Sequence, residues 1–313
     1  MAGFRVALGI GVATMLALAL LGLFPLAVVA GAVLVPVVTL LYLVDVDVYE
    51  GEPLLVIVLT LAWGMGSGVL VGILGRSWAS PGAALLGGSR THLALVRGVA
   101  LPLIGLSLAL TGPLLLLARP RYNDVLDGAT FGATSGAAMA GAAVLTQASP
   151  MFSAGLRPLG DVAAWVIRVL ELGVILPVLS MAAVGMAAAP FWLRWRAPVH
   201  DRTALGLLGQ PWAGLLAAAL LVVGAALEQS YLHPASVISL VILAILAAAA
   251  LLYLRQIIHV GLLEEAAELP IGPAIICPNC GARTPHHSFC ANCGVALRAL
   301  PKARPASPEA PSS

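Results

Sequence analysis

Residues 127–147 run DGATFGATSGAAMAGAAVLTQ, and how this stretch is read decides the fold. Gly128, Gly132, Gly136 and Ala140 recur every four residues, and Ala129, Ala133, Ala137 and Gly141 make a second row of small residues beside them. No charge follows Asp127 within the stretch. In water such a helix is poor, because each interior glycine costs about 1 kcal/mol relative to alanine. In a bilayer the same rows let neighbouring backbones approach and pack closely. The stretch is therefore predicted to be the centre of a membrane helix bundle.

The rest of the chain agrees with that setting. Of 313 residues, 60% are hydrophobic and only 10% are charged, whereas a soluble domain carries about 25% charged residues. Uncharged apolar runs long enough to span a bilayer recur along the sequence. The net charge is +2 and 15 of the 16 basic residues are arginine, a balance with no nucleic-acid footprint.

Val6 to Val44 is an uncharged run of 39 residues. It is too long for a signal-peptide core, and it divides into two spans near Gly22–Pro25. An acidic turn follows with Asp45, Asp47, Glu50 and Glu52. A third span opens at Pro53 and reaches about Gly75. A loop over 76–97 carries Arg76, Arg90 and Arg97, and a fourth span covers Gly98–Ala118. The small-residue helix is the fifth span. Asp161 to Leu193 forms a long, tilted sixth span with Arg168 and Glu171 in its polar entry. The seventh and eighth spans lie near 211–228 and 235–254, joined by a loop from Glu228 to Pro234.

Eight spans put both termini on one side. The flanks on that side hold Arg5, Arg119, Arg121, Arg194, Arg196, Arg202 and Arg255, and the opposite flanks hold Arg76, Arg90, Arg97 and Arg157. The larger share of arginine marks the side of the termini as cytoplasmic. The expected class is thus an all-α polytopic membrane helix bundle of about eight transmembrane helices plus a small C-terminal zinc ribbon. The bundle covers 1–258, an amphipathic linker 259–273, the ribbon 274–297 and a disordered, proline-rich tail 298–313.

The ribbon is read from Cys277-Pro-Asn-Cys280 and Cys290-Ala-Asn-Cys293, two Cys-x-x-Cys knuckles nine residues apart. Each knuckle turns two thiolates toward one point. Four thiolates suit one tetrahedral Zn²⁺ and leave no open coordination position, so the ion is expected to be structural rather than catalytic. Disulfides fit badly with an inner, reducing compartment. His286 and His287 lie between the knuckles and are expected to be solvated. The motif resembles the short zinc-ribbon modules appended to many bacterial proteins; with only Arg283 and Arg298 nearby it does not suggest DNA binding, and it is read as a small docking or regulatory module toward a protein partner.

Ionisable residues within spans are functional candidates because they are expensive there. Arg168 and Glu171 are three apart and share a helix face, so an ion pair near the interface is expected. Asp124 and Asp127 begin the fifth span, where carboxylates suit the helix dipole. The Asp45–Glu52 turn and the Glu264-Glu265-Ala-Ala-Glu268 segment are expected to be solvated faces. His92, His200, His233 and His259 fall in loops or at span ends.

Several stretches together resemble the PrsW family of intramembrane proteases: YLVDVDVYEGEP from Tyr42 to Pro53, Trp63-Gly64, the Asp127-Gly128, Gly132, Gly136, Ala140 register, and Arg255 with Leu263-Glu264-Glu265. The resemblance implies a metal-dependent protease scaffold. It also implies a glutamate pair followed by lysine, a later glutamate–asparagine, and histidines in later spans. This chain has Gly105-Leu106, Ala143-Val144 and Val174 at the corresponding places. A bound metal activates water by lowering its pKa to about 7, and alanine, valine and glycine can hold no metal. The chain is accordingly expected to be a non-catalytic, PrsW-like scaffold or regulator in the bacterial plasma membrane. Two alternatives stand beside it: an active intramembrane metalloprotease with a displaced site built from Glu171, Asp161 and Asp127, and a transporter or channel with helices bent at Pro102, Gly112-Pro113 and Pro177.

Overall fold

The computed structural model describes residues 2–46, 54–78, 95–148, 151–152, 155–157, 161–197, 199, 205–232, 236–268, 272–286, 290, 292–293, 295 and 297. Two compact units emerge, Met1–Glu265 and Ala266–Ser313. The first is entirely helical among the described residues. Its helices are α1 (Ala2–Leu20), α2 (Phe24–Val46), α3 (Leu54–Trp78), α4 (Leu101–Leu116), α5 (Val125–Gln147), α6 (Val162–Leu170), α7 (Leu176–Trp195), α8 (Pro211–Leu227) and α9 (Val237–Glu268). α9 runs without a break past 258 to Glu268, and the first compact unit ends at Glu265. The acidic residues at 47–52, His92, His200, His233, His287 and the tail at 298–313 lie outside the described residues.

Three helices are entered or left through π turns, at Leu95–Ala100, Glu171–Ile175 and Glu228–Leu232. The first two share a cause. Pro102 and Pro177 each sit at the start of the α-helix that follows a π turn. A proline ring clashes with the carbonyl four residues back and removes one helical hydrogen bond. In both cases that earlier residue is a glycine, Gly98 or Gly173, within the repeated pattern Gly-Val-x-Leu-Pro. The helix relieves the clash by widening for one turn and continues. Hence 162–195 crosses as one long element, and the fourth span begins at Leu95 rather than at Gly98.

Among the described residues, seven helical stretches are long and apolar enough to cross a membrane, and the chain is an integral, multi-pass membrane protein. The small-residue helix α5 is not among the seven. At about 1.5 Å per residue its 23 residues reach roughly 35 Å, so length is no obstacle. It is less apolar because its neighbours, not lipid, are its solvent. Val125, Phe131, Ala137 and Ala138 are all essentially inaccessible, and most of α5 is buried. α7 packs along one side of it and α3 along another, with α2 and α4 completing the sheath.

The registers show how the small rows work. Gly128 lies against Trp192 and Ala189, Gly132 against Val184 and Ala188, and Gly136 against Ser180 and Val184. Each step of four up α5 is a step down α7, so the two helices run antiparallel. A methyl group placed on Gly136 would stand 2.5 Å from the Ser180 carbonyl oxygen, and one on Gly132 would stand 2.7 Å from that of Val184. The Ser180 hydroxyl donates back to the Gly136 carbonyl at 3.0 Å, a bond possible only at this separation. Toward α3 the contacts are Gly64 on Ser135, Gly68 on Met139 and Gly72 on Thr146, rising together, so those two helices are parallel. Ser135 donates to Ala109 of α4 at 2.7 Å.

The second unit holds a two-stranded antiparallel sheet, β1 (Gly272–Ile276) and β2 (Arg283–His286), in which Ile275 faces Thr284 and Ile276 faces Arg283.

Candidate functional site

The sheet holds the first cysteine knuckle in place. Cys277 follows β1, and its N–H donates to the Ala282 carbonyl at 2.9 Å; Gly281 closes the turn by donating to the Cys277 carbonyl at 2.8 Å. Gly281 has φ +70°, a conformation that costs a side-chain-bearing residue and suits glycine. The second knuckle repeats the first, since the Cys290 N–H donates to the Val295 carbonyl at 2.9 Å, again five residues on.

The two turns bring Cys277, Cys280, Cys290 and Cys293 together, with all four sulfurs within 4.8 Å of one another. Cys277 and Cys293 approach to 3.8 Å, and Cys280 and Cys290 to 3.7 Å. Four sulfurs at roughly 2.3 Å from a central ion would stand about 3.8 Å apart along the edges of a tetrahedron. All four are free thiols, and these separations are far from the roughly 2.05 Å of a disulfide bond. The cluster fits a metal ion.

Two asparagines complete the site, and cysteine spacing alone singles out neither. Asn279 and Asn292 occupy the third position of their knuckles, and each reaches across to the other. Asn279 Nδ2 donates to Cys293 Sγ and Asn292 Nδ2 to Cys280 Sγ, both at 3.6 Å. The Asn292 backbone N–H donates to Cys290 Sγ at 3.4 Å. Such donors favour thiolate over thiol. The Cys290 pKa is drawn down to about 6, first by the Cys293 backbone N–H. Cys280 is lowered first by the Ala282 N–H and next by the Asn292 side chain.

Within the bundle the candidate carboxylates fall into separate places. Asp124 and Asp127 form a reciprocal cap on α5: the Asp127 N–H donates to Asp124 Oδ1 at 2.8 Å and the Asp124 N–H to Asp127 Oδ2 at 3.2 Å. The expected capping role is present. Burial raises the Asp124 pKa, and the Asp127 charge adds to the rise. A third carboxylate joins them, contrary to the solvated face expected for 264–268. Glu265 is buried, and its Oε1 accepts from the Val125 N–H at 2.8 Å. One helical turn earlier Gly261 lies against the Val125 side chain, which lets α9 come close enough for that bond. The end of α9 thus caps the start of α5.

Asp161 caps α6 by accepting from the Ala163 N–H at 2.9 Å. Glu171 lies ten residues further along the same helical stretch, roughly 15 Å away at about 1.5 Å per residue. Ala189, which neighbours Gly128, lies roughly 27 Å beyond Glu171 by the same rise. Glu171, Asp161 and Asp127 therefore do not converge on one reacting centre. Gly105 sits beside Met139 and Val71, whereas Val144 and Val174 pack with Val28 in a second apolar cluster that also includes Met15 and Phe24. The charge of Arg168 acts on Glu171, as their spacing predicts, but Glu171 Oε1 has no hydrogen-bond partner. The Arg168 guanidinium lies over the Trp165 ring, 5.3 Å from its centroid, and Glu171 is enclosed in the protein at 1% exposure. His259 is exposed on α9.

No family model, no curated protein and no solved structure matches this chain.

Proposed function

We propose that this protein is a non-catalytic membrane scaffold or regulator, with a PrsW-like bundle in a bacterial plasma membrane and a cytoplasmic zinc ribbon that docks a protein partner. The observation that carries the reading is the character of α5. From Gly128 to Gln147 the central helix offers no titratable side chain, and most of it is consumed in packing. Gly105, Ala143 and Val174 supply neither metal ligands nor a proton carrier where the resemblance places them. Hydrolysis needs activated water and a group to move its proton.

Zinc is the ion of choice for four thiolates in a closed tetrahedron without open positions. The ribbon is then a folded surface maintained by its metal, suited to binding rather than chemistry. With α5 counted as an eighth crossing, both termini fall on one side, and the larger share of arginine there supports reading that side as cytoplasmic. The parallel run of α3 with α5 and the antiparallel run of α5 with α7 agree with that order.

The test is proteolysis of single-span membrane substrates by the reconstituted protein. The wild type and a variant combining Asp124→Asn, Asp127→Asn and Glu171→Gln are expected to behave alike, without cleavage. Cleavage that depends on those three residues would overturn the reading.

A further inference from the structure

α9 gives one side to the bundle and turns another away from it. Ile257 is fully buried, Gly261 lies against Leu193 and Val125, and Glu265 accepts from the Val125 N–H. These residues recur every four along the helix and mark its packed side. Arg255 and His259 stand two residues before and two after Ile257, so a helix of 3.6 residues per turn carries both to the opposite side. Both are exposed.

An open groove of about 410 Å³ follows that outer side. Two rows of α9 line it, Leu251, Arg255 and His259 in one and Leu254, Ile258 and Leu262 in the other. Leu254 forms its floor, nearly buried beside Gly185 of α7. Among the described residues no carboxylate lines the groove, and neither Arg255 nor His259 makes a hydrogen bond or an ion pair. A guanidinium and an imidazole are therefore offered outward, one helical turn apart, from an apolar bed.

Depth narrows the choice of occupant. Val237 to Leu254 carries no charge. Arg255 follows roughly 27 Å along the helix at about 1.5 Å per residue, close to the ~30 Å thickness of a bilayer's hydrocarbon core. α7 and α9 run parallel, with Gly185 beside Leu254 and Leu193 beside Gly261. The end of α7 therefore lies level with the outer end of the groove. That end is Trp195, which is exposed, and tryptophan gathers at the membrane interface. An arginine facing lipid at this depth is costly without a counter-charge. We propose that the groove binds an anionic phospholipid, with Arg255 and His259 donating to its phosphate and an acyl chain lying along Leu251 and Leu254. A guanidinium gives phosphate oxygens charge-assisted hydrogen bonds. A lipid of net negative charge also neutralises Arg255, which a zwitterionic lipid does not. The site does not rest on the ribbon or on the proposed docking role.

The test uses the full-length, zinc-loaded protein in mild detergent, with thermal unfolding followed as dioleoyl phosphatidylglycerol or dioleoyl phosphatidylcholine is titrated in. Phosphatidylglycerol should raise Tm saturably by several degrees, and phosphatidylcholine should not. Arg255→Gln should raise the half-saturating concentration of phosphatidylglycerol about fivefold or more, the weight of one basic residue at an anionic surface. His259→Ala should raise it by less. Arg119→Gln removes an exposed arginine outside the groove and should leave the response unchanged. Native mass spectrometry of the wild type should show phosphatidylglycerol retained in preference to phosphatidylcholine, a readout that stands should a variant fold poorly. Equal response to the two lipids, or no preferential retention, would overturn the proposal. So would a response kept intact in Arg255→Gln, or one weakened as much in Arg119→Gln, which would mean diffuse attraction to charge. The same rise in Tm with inorganic phosphate would make the groove a site for the free anion and would overturn it as well.

Discussion

Asn279 and Asn292 show how much of the metal centre lies outside its four ligands. Each amide donates to a sulfur of the opposite knuckle, so each turn is oriented by the other. Replacing such outer partners typically costs 10–100-fold in metal affinity. Asn279→Ala and Asn292→Ala should therefore retain metal but release it to a chelator at least about tenfold faster, measured by chromogenic competition. Protons compete for the same sulfurs. Donors around Cys290 draw its thiol toward thiolate, so metal release should steepen as the pH falls. The cysteines were legible from spacing alone. The asparagines were equally visible in Cys-x-Asn-Cys, but their role depends on two knuckles facing one another, which spacing within either knuckle does not reveal. Glu265 escaped for a related reason. Its neighbour Glu264 and the following acidic residue make the segment look solvated, and only Gly261 one turn earlier hints that this face is packed. Glu265→Ala should cost about 1 kcal/mol through the lost cap and speed amide exchange at Val125. Glu265→Gln keeps the acceptor and should preserve protection.

At the scale of elements, α5 is held by backbone proximity more than by side-chain bulk. Alanine is the better helix former by about 1 kcal/mol, yet a methyl group on Gly136 meets the Ser180 carbonyl oxygen. Gly136→Ala should therefore destabilise the bundle, by about 1–3 kcal/mol as overpacking does. Gly66→Ala on α3, where nothing lies within 4 Å, should be neutral or stabilising. Thermal unfolding in one detergent compares the two directly. The small rows of α5 were readable as packing surfaces. The matching row Gly64, Gly68, Gly72 on α3 has the same four-residue spacing and identifies the partner helix. The π turns carried a signal too, in Gly-Val-x-Leu-Pro at 98–102 and again at 173–177. Hydropathy cannot see it, because widening a helix by one residue leaves its composition unchanged. Glu228 was misplaced into a loop for that reason: the π turn continues the helix past it and carries it into the protein.

For the whole molecule, composition was enough to establish a multi-pass helical membrane protein, because apolar length is what a bilayer demands of each span. It was least informative about α5, whose interior position makes it too polar to register as a span. Under the proposed reading the bundle carries no transition-metal centre and the four-cysteine cluster holds zinc. Counting zinc in purified protein, wild type against a variant with Cys277, Cys280, Cys290 and Cys293 all changed to serine, tests that separation most directly. The prediction is one zinc per chain in the wild type and none in the variant. A full equivalent of zinc retained by the variant would place a metal among the helices and contradict the reading of the bundle as a non-catalytic scaffold.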